Sequence, residues 1–287
     1  MKPAIYSLGA FKLALIVARI LPRPLAQRLA AAIAVWVRPP DGCSALRENL
    51  RAITGLEGGE LDALCTANRR HFAQMLADYF LCAGSHRANG LLHDWRGIEH
   101  VEAARALGRG VLLVTAHLGH WELGGLLLAG HGLPMTVVTL EEPTTELTRW
   151  RDAYRRRAGI RTIPVGPGHH FAFVEIMQAL RRNEVVAMLV DRPYAGSGEK
   201  VQFFGRATEF STGPSILCQH TGAAVVPAFV LRDASGCYTA FAEAVLPLAP
   251  EAGLPHNTQL IASHFENIIR KHPEQWFNYV PIWRGGS

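Results

Sequence analysis

Short apolar runs alternate with amphipathic stretches from about residue 95 onward. Residues 111–115 form a continuous apolar run of the kind that a strand buried on both faces requires. Further runs predict strands at residues 135–140, 162–165, 185–190, 201–204, 224–231 and 237–244. Helical patterns separate them at residues 99–107, 121–128, 146–158, 171–182, 214–221 and 259–270. This order predicts an α/β fold in which a mixed central sheet is flanked by helices on both faces.

The first ~90 residues show helical rather than strand patterns. Four helices are predicted, at residues 4–21, 25–37, 44–54 and 60–81. No internal repeat or low-complexity linker separates them from the remainder of the chain. We therefore predict a helical, membrane-proximal amino-terminal region over residues 1–92 and an α/β core over residues 93–287, joined as one continuous structural unit.

Residues 3–21 are mainly apolar, but Lys12 and Arg19 interrupt the run. A helix that crosses a bilayer needs about 20 apolar residues with few charges, so this segment is a poor spanning helix. Lys12 and Arg19 share one helical face, which predicts an amphipathic helix lying in the membrane plane. The alternative is a half-buried helix of the soluble core. A cleaved signal peptide is disfavoured because the apolar stretch is broken and no small-x-small cleavage site precedes Pro22.

The composition limits the classes of binding partner expected for this protein. The chain of 287 residues has 49% hydrophobic and only 18% charged residues, with a net charge of +5 that comes mainly from arginine. A basic balance fits nucleic acid, an anionic membrane surface or a phosphorylated substrate. Because no nucleic-acid-binding motif is present, we predict no nucleic-acid partner. The five scattered cysteines contain no CxxC pair and indicate reduced thiols on the cytosolic side.

The strongest candidate for chemistry follows the strand at residues 111–115, where His117 and Glu122 are five residues apart. On a regular helix these side chains would point about 140° apart, so they can meet only if His117 lies in the turn and Glu122 on the first helical turn. A histidine oriented by a carboxylate can act as a general base towards a hydroxyl. No Gly-x-Ser-x-Gly motif or neighbouring cysteine is present, which favours direct transfer without a covalent enzyme intermediate. The alternative is a capping Glu beside a hydrogen-bonded turn His.

Other polar residues extend this candidate site. Asp191 ends the strand at residues 185–190 and is predicted to lie beside His117 at the same sheet edge; the alternative is a turn-capping Asp. One arginine of a dense cluster could hold a phosphate or a developing oxyanion, while the others form a solvated face. The cluster consists of Arg149, Arg151, Arg155, Arg156, Arg157 and Arg161. A zinc site using His117, His120 and Glu122 would lack the HExxH spacing, so no metal is predicted.

The string His-Leu-Gly-His-Trp-Glu at residues 117–122 resembles the first, His-x4-Glu, motif of the lysophospholipid acyltransferase superfamily. More narrowly, it resembles the lauroyl and myristoyl transferases of lipid A biosynthesis and the phosphatidylinositol mannoside acyltransferases. Nine further segments, in order, are similar to other parts of these proteins. They lie at residues 95–100, 154–159, 163–164, 190–193, 201–205, 212–214, 221–227, 272–276 and 283–284. One departure is His120, which stands where the family commonly has Asn.

The resemblance implies acyl transfer to a hydroxyl of a membrane lipid, with His117 as general base, Glu122 as its orienting partner and Asp191 nearby. Arg155 best matches the family's functional arginine, although Arg156 and Arg157 leave the register open. Backbone N–H groups at residues 119–121, or Arg155, could stabilise the oxyanion. The matching blocks make these residues substrate-binding candidates: Arg155, Arg156, Gly119, His120, Trp121, Gly205, Gly213 and Pro214.

The same resemblance implies no cofactor. The expected donor is an acyl thioester of acyl carrier protein or coenzyme A, and the expected acceptor is a membrane glycolipid such as a lipid A precursor. The expected location is the cytoplasmic face of the inner membrane, attached peripherally or by one amino-terminal anchor. Three alternatives stay open: another acceptor, namely a phosphatidylinositol mannoside or a lysophospholipid; a metal-dependent hydrolase; and a non-catalytic lipid-binding protein.

Overall fold

A computed structural model describes residues 8–36, 42–82, 89–142, 144–193 and 198–283. Seven of its strands form one sheet in the order β1-β9-β8-β2-β5-β3-β4, and β6 and β7 form a separate hairpin. All pairs in the large sheet are parallel except β8 with β9. The strands are β1 (Leu92–Arg96), β2 (Val111–Thr115), β3 (Met135–Leu140), β4 (Arg161–Val165), β5 (Val185–Leu189), β6 (Gly198–Phe203), β7 (Arg206–Ser211), β8 (Ala224–Arg232) and β9 (Tyr238–Ala242).

Helices precede the sheet and connect its strands. They are α1 (Leu8–Ile20), α2 (Arg23–Trp36), α3 (Gly42–Thr54), α4 (Gly58–Cys82), α5 (Ile98–Ala106), α6 (Trp121–Gly130), α7 (Thr145–Arg157), α8 (Ala172–Arg181), α9 (Gly213–Thr221) and α10 (Gly253–Lys271). The predicted α/β class, the mixed central sheet and the helical amino-terminal region are confirmed. In the part of the chain that the structure describes, none of the helices combines the length and the apolar character needed to cross a bilayer.

Two strands and the start of one helix were not predicted. Strand β1 contains His, Asp and Arg and lies at the edge of the sheet, where one side is unpaired and the apolar signal is weak. Strand β7 pairs with β6 across a turn in which Phe204 and Gly205 both have positive φ. Helix α10 begins six residues before the predicted position 259, because buried polar residues Asn257 and Thr258 interrupt the apolar pattern there.

The sheet is covered on both faces, as the apolar character of β2 predicts. Leu112 and Val114 join a cluster with residues of α3, α8, α9 and α10. Val111 and Leu113 join a second cluster on the opposite face with residues of α5 and α6. Helices α3 and α4 share the first cluster, since Leu46 of α3 and Leu61 of α4 belong to it together with Leu112. These two helices therefore contribute to the core on this face of the sheet.

Candidate active site

The sheet register brings His117 and Asp191 together. Strands β2 and β5 are adjacent and parallel, and Thr115 pairs with Leu189. Val190 N–H then donates to the carbonyl of Thr115, which carries the parallel alignment one step further. His117 and Asp191 each follow by two residues, so both lie at the carboxyl edge of the sheet. The prediction that Asp191 lies beside His117 is confirmed.

Asp191 is fully buried and hydrogen-bonds the imidazole of His117. The distance between His117 Nδ1 and Asp191 Oδ1 is 2.7 Å, and because a carboxylate only accepts, Nδ1 is the nitrogen that carries the proton. Burial alone would raise the pKa of Asp191, but the charge and hydrogen bond of His117, with support from Arg192 and Trp276, lower it to about 2. The carboxylate is thus charged and fixes the tautomer in which Nε2 can accept a proton.

The carboxyl-terminal segment supplies the other donors to this carboxylate. Asp191 Oδ2 accepts from Trp276 Nε1 at 3.1 Å and from Asn278 Nδ2 at 3.0 Å, as well as from the backbone N–H of His117 at 3.1 Å. Phe277 N–H donates to the carbonyl of His117 at 2.7 Å. Roles for Trp276 and Asn278 were missed in the sequence. The sequence offered one signal, the segment at residues 272–276 that resembles the family, but this resemblance does not indicate which residue Trp276 contacts.

Two buried asparagines of the amino-terminal helices hold this segment in place. Asn68 of α4 donates to the carbonyl of Trp276 at 2.8 Å. Asn49 of α3 donates to the carbonyls of Asn278 and Val280 at 2.9 and 2.8 Å. Because these carbonyls flank the donors to Asp191, helices α3 and α4 contribute indirectly to the position of the carboxylate.

Glu122 lies on the first turn of α6 and His117 in the preceding turn, as predicted. The predicted contact between them is corrected, because Glu122 accepts two hydrogen bonds from Arg155 of α7. The distances are 2.5 Å to Arg155 Nη2 and 3.3 Å to Nε, and Arg151 Nη1 lies 3.9 Å away. Burial would raise the pKa of Glu122, but Arg155 and Arg151 hold it below its ordinary value. The orienting carboxylate of His117 is Asp191.

The turn residues Gly119 and His120 have structural roles. Gly119 has φ +63°, and a Cβ at this position would lie 2.0 Å from the carbonyl oxygen of Val230. Its N–H donates to the carbonyl of Gln275, and that of His120 donates to the carbonyl of Val230. These two N–H groups are therefore occupied, which corrects the prediction of an oxyanion-stabilising role for Gly119 and His120; that role of the Trp121 N–H stays a prediction.

His120 caps α6 and is fully buried. Its Nδ1 accepts from Leu123 N–H at 3.3 Å, and its ring contacts the ring of Tyr238 edge-on. Burial lowers the pKa of His120 to about 4, so the ring is neutral at physiological pH. The predicted role in substrate binding is replaced by helix capping, the function that Asn commonly has at such a position.

A cavity of about 350 Å³ opens beside His117 between the sheet and helices α5 and α6. Its interior is apolar and is formed by residues of both helices and of six strands. Representative lining residues are Ile98, Val101, Leu113, Gly125, Leu128, Val137, Ala187, Ala228 and Ala240. The polar residues of the lining include His117, Glu122, Glu142, Arg151, Arg155 and Arg192. Trp121 also lines the cavity and contacts the His117 ring edge-on, with 5.6 Å between ring centroids.

Six predicted substrate-binding residues lie outside the lining of this cavity: Gly119, His120, Arg156, Gly205, Gly213 and Pro214. Arg156 is exposed and borders a separate surface depression with Arg161. Gly205 forms the β6–β7 turn, and Gly213 and Pro214 begin α9. Arg155 and Arg156 point apart because adjacent helical residues differ by about 100° in direction. Arg155 is therefore the member of the 155–157 run that reaches the site.

The side chains of the alternative zinc site, His117, His120 and Glu122, do not point towards a common centre. His120 is turned into the core as a helix cap, and Glu122 is bound by Arg155. In the described ranges, no group of three or more His, Cys, Asp or Glu residues is arranged to hold a metal ion. The geometry instead joins a tautomer-fixed histidine, three cavity-lining arginines and an apolar cavity.

Comparison with protein families matches residues 1–284 to bacterial lipid A biosynthesis acyltransferase. The chain belongs to this family. It is 30% identical over 249 residues to a phosphatidylinositol mannoside acyltransferase of Mycobacterium tuberculosis, covering 84% of this chain and 77% of the relative. A protein of the same name from Mycolicibacterium smegmatis is 29% identical over 269 residues, covering 92% and 87%. The lipid A biosynthesis palmitoleoyltransferase of Escherichia coli is 26% identical over 190 residues, covering 64% and 58%.

This membership identifies the chain as an O-acyltransferase enzyme. In this acyltransferase, His117 and the apolar cavity lie at one edge of the sheet. His117 can exchange a proton with a hydroxyl, and the apolar cavity beside it can receive a hydrocarbon chain. The Glu122–Arg155 ion pair lines the cavity where α6 faces α7, and each of the two charges compensates the other.

Replacing Glu122 with Gln tests whether it acts through Arg155. We expect the free energy of unfolding to fall by about 3 kcal/mol, because the buried Arg155 guanidinium loses its compensating charge. Turnover should fall by about 10²-fold as Arg155 shifts. The pH profile of kcat/KM should keep its wild-type shape, since Asp191 still fixes His117. Denaturant unfolding and steady-state kinetics measure these effects.

The matched control is Glu175→Gln, which breaks an ion pair with Arg161 at 3.1 Å in which both side chains are about half exposed. It should change the free energy of unfolding by less than about 0.5 kcal/mol. A displaced pH profile in Glu122→Gln would instead indicate that Glu122 acts on His117.

Proposed function

We propose that this acyltransferase moves a fatty acyl chain from a thioester of acyl carrier protein or coenzyme A to a hydroxyl of a membrane phosphoglycolipid, with His117 as general base. The observation that carries the proposal is the geometry of His117. Its Nδ1 is bound to a buried, ionised carboxylate, while its ring lines the cavity. Nε2 is thereby left as the basic nitrogen at the polar end of an apolar pocket.

The proposed reaction proceeds by direct attack. His117 Nε2 removes the proton of the acceptor hydroxyl as its oxygen bonds to the thioester carbonyl carbon, and Asp191 stabilises the imidazolium. The tetrahedral intermediate then expels the thiolate, which takes the proton from Nε2. The products are the ester and the free thiol, and no covalent bond to the enzyme forms.

Positive charge for the oxyanion is proposed to come from Arg151 and Arg192, which line the same cavity as His117. Arg151 Nη1 pairs with Glu142 at 2.8 Å, while its buried Nε has no hydrogen-bond partner among the described residues. That N–H can therefore donate to a substrate oxygen. Arg155 is less suited to this role, because Nε and Nη2 both donate to Glu122.

The acyl chain is proposed to occupy the apolar interior of the cavity. Gly124 and Gly125 of α6 widen it, since neither contributes a side chain. At Gly125 a Cβ would lie 3.6 Å from Ile160 Cδ1, an ordinary contact, so no packing constraint requires a glycine there. A glycine inside a helix lowers helix stability by about 1 kcal/mol relative to alanine, and cavity space for substrate accounts for that cost.

The acceptor is proposed to be a phosphoglycolipid of the lipid A precursor or phosphatidylinositol mannoside type. The relatives are named for these two lipids, and both lipids combine sugar hydroxyls with phosphate. Arginine is suited to phosphate because it forms paired hydrogen bonds. We also propose that the enzyme works at the cytoplasmic face of the inner membrane, where thioester donors are available. Its five cysteines are free thiols, which suits a reducing compartment.

Purified enzyme should be assayed with two donors and three acceptors. The donors are palmitoyl thioesters of acyl carrier protein and of coenzyme A, and the acceptors are a lipid A precursor, a phosphatidylinositol mannoside and a lysophospholipid. We expect mass spectrometry to show one added acyl ester on one phosphoglycolipid, with at least a tenfold preference over the lysophospholipid. Exclusive acylation of the lysophospholipid, or thioester hydrolysis with no acylated lipid, would contradict the proposal.

A further inference from the structure

The segment at residues 276–278, which donates to the carboxylate of the site, also binds Arg192. Arg192 Nε donates to the side-chain oxygen of Asn278, and Arg192 Nη2 donates to the carbonyl of Phe277 at 3.2 Å. Two nitrogens of the guanidinium are therefore bound by adjacent residues of one segment. Arg192 also lines the cavity that His117 lines.

Asn278 is the residue at which the bonds to Arg192 and to Asp191 meet. Its Oδ1 accepts from Arg192 Nε, and its Nδ2 donates to Asp191 Oδ2 at 3.0 Å. The orientation of the amide is fixed, because a guanidinium only donates and a carboxylate only accepts. Asn278 is fully buried, so water does not compete for either bond. One amide thus joins Arg192 to the carboxylate that binds His117.

The opposite side of the 276–278 segment is anchored to the amino-terminal helices. Asn68 of α4 and Asn49 of α3 each donate to one of its backbone carbonyls. The ring of Phe277 packs on the ring of Phe72 of α4, with 5.1 Å between centroids. The segment is therefore held by two helices on one side and presents polar groups to the site on the other.

We propose that Asn278 is a positioning residue that holds the Arg192 guanidinium at a fixed distance from the His117–Asp191 pair. The inference rests on the proposed function, in which His117 is the base and Arg192 supplies charge to the oxyanion. Both groups act on one tetrahedral centre, the base on the attacking oxygen and the guanidinium on the carbonyl oxygen. Their separation must match that centre closely, and a shift of about 1 Å is expected to lower the rate by up to 10²-fold.

Kinetics of Asn278→Leu test the proposal against a matched control. Leu keeps the branched shape of Asn and removes both side-chain bonds, so Arg192 is released while its charge remains. We expect kcat to fall about 30-fold with less than a threefold change in KM for the thioester, because positioning acts in the transition state.

The control is Asn257→Leu. Asn257 is a buried residue of α10 whose amide oxygen and nitrogen both bond the backbone of Ala249, outside the cavity. This variant should lower the melting temperature to a similar extent and keep wild-type kcat. A loss of kcat in Asn257→Leu equal to that in Asn278→Leu would show that lost stability explains both, and would overturn the inference.

A double-mutant cycle identifies the residue through which Asn278 acts. In the Arg192→Gln background, Asn278→Leu should lower kcat less than threefold, because no guanidinium remains to be positioned. Arg192→Lys keeps the positive charge but loses the planar fork that reaches Asn278 and the Phe277 carbonyl together. Its kcat should fall at least tenfold. Because Arg192 is only half-buried, this variant also tests the inference if Asn278→Leu does not fold.

The titration of His117 provides a readout that does not require turnover. Heteronuclear NMR of the histidine side chains follows it, and the His117 signal is identified by its absence in His117→Ala. In Asn278→Leu, the carboxylate of Asp191 loses one donor and the guanidinium moves away, and both changes favour the imidazolium. The midpoint should therefore move to higher pH by about half a unit, while Asn257→Leu keeps the wild-type midpoint. The other charged residues that line the cavity are unaltered in both variants: Glu122, Glu141, Glu142, Arg151 and Arg155.

Three results would overturn the inference. The first is an undiminished loss of kcat when Asn278→Leu is added to Arg192→Gln, which would show that Asn278 acts independently of Arg192. The second is wild-type kcat in Arg192→Lys, and the third is an unchanged His117 midpoint in Asn278→Leu. Failure of the proposed function gives a different pattern. If His117→Ala kept its turnover, His117 would not be the base, yet the midpoint would still move in Asn278→Leu, because that shift depends on the contacts alone.

Discussion

Replacing His117 with Ala is expected to lower the turnover number for acyl transfer by about 10³-fold, because the acceptor hydroxyl then loses its base. His117 is a quarter exposed at its side chain, and its removal leaves Asp191 with the donors Trp276, Asn278 and the backbone N–H of residue 117. The free energy of unfolding should therefore fall by about 2 kcal/mol or less. Single-turnover kinetics and thermal unfolding measure the two quantities.

His93→Ala is the matched control for this variant. His93 Nδ1 pairs with the carboxylate of Asp233 at 2.9 Å, much as His117 pairs with Asp191, but its side chain is 67% exposed and lies outside the cavity. We expect wild-type turnover. If His117→Ala retained more than a tenth of wild-type turnover, His117 would not be the base.

Asp191→Asn is expected to have a comparable effect on turnover, about 10³-fold or more, and a larger effect on stability. The carboxylate accepts four hydrogen bonds, one at Oδ1 and three at Oδ2. If the Asn amide nitrogen faces His117 Nδ1, that nitrogen must accept, and the proton moves to Nε2, where it blocks the base. If the amide nitrogen faces the other donors, their hydrogen bonds are lost. The second orientation leaves the three donors at Oδ2 without an acceptor, and the first leaves the remaining N–H of the buried amide without one. We expect a cost of about 3 kcal/mol.

A double-mutant cycle separates the two consequences. In the His117→Ala background, Asp191→Asn should change turnover less than threefold, because the two residues act as one unit. It should still lower the free energy of unfolding. Asp233→Asn is the control for Asp191→Asn. The pKa of the Asp233 carboxyl is also lowered to about 2, partly by its hydrogen bond with His93, but Asp233 lies in the β8–β9 turn. Independent effects of the two substitutions on turnover would contradict the assignment.

The Asp191 substitution also has a pH signature. The pKa of Asp191 falls from 3.8 to about 2 on folding, so the unfolded chain binds more protons between these values. The contribution of Asp191 to stability is therefore complete above pH 4 and is lost as the pH falls towards 2. The difference in unfolding free energy between wild type and Asp191→Asn should shrink over that range, as urea unfolding can measure.

Much of the fold could be predicted from the sequence, because the apolar period reports directly on burial. Strands β2 and β3 have the predicted bounds, since both are apolar runs that end in a polar turn. The prediction failed at β1 and β7, which are short, polar and formed by their pairing partners rather than by their own composition. The apolar residues of α1 and α2 follow the helical period, yet the sequence alone does not distinguish a packed face from an exposed one.

By itself, the sequence determined that His117 lies in a turn after a buried strand, that Glu122 begins a helix and that Asp191 ends another strand. These positions depend on local periodicity and on the common carboxyl edge of parallel strands. The proximity of Asp191 and His117, 74 positions apart, follows from that shared edge. Only the tertiary structure decided the other partners: Asp191 contacts Trp276 and Asn278 across 85 and 87 positions, while Glu122 turns to Arg155. A side chain's partner is set by the packing of distant elements, which bring buried charges to their counter-charges, and spacing along the chain does not encode that packing.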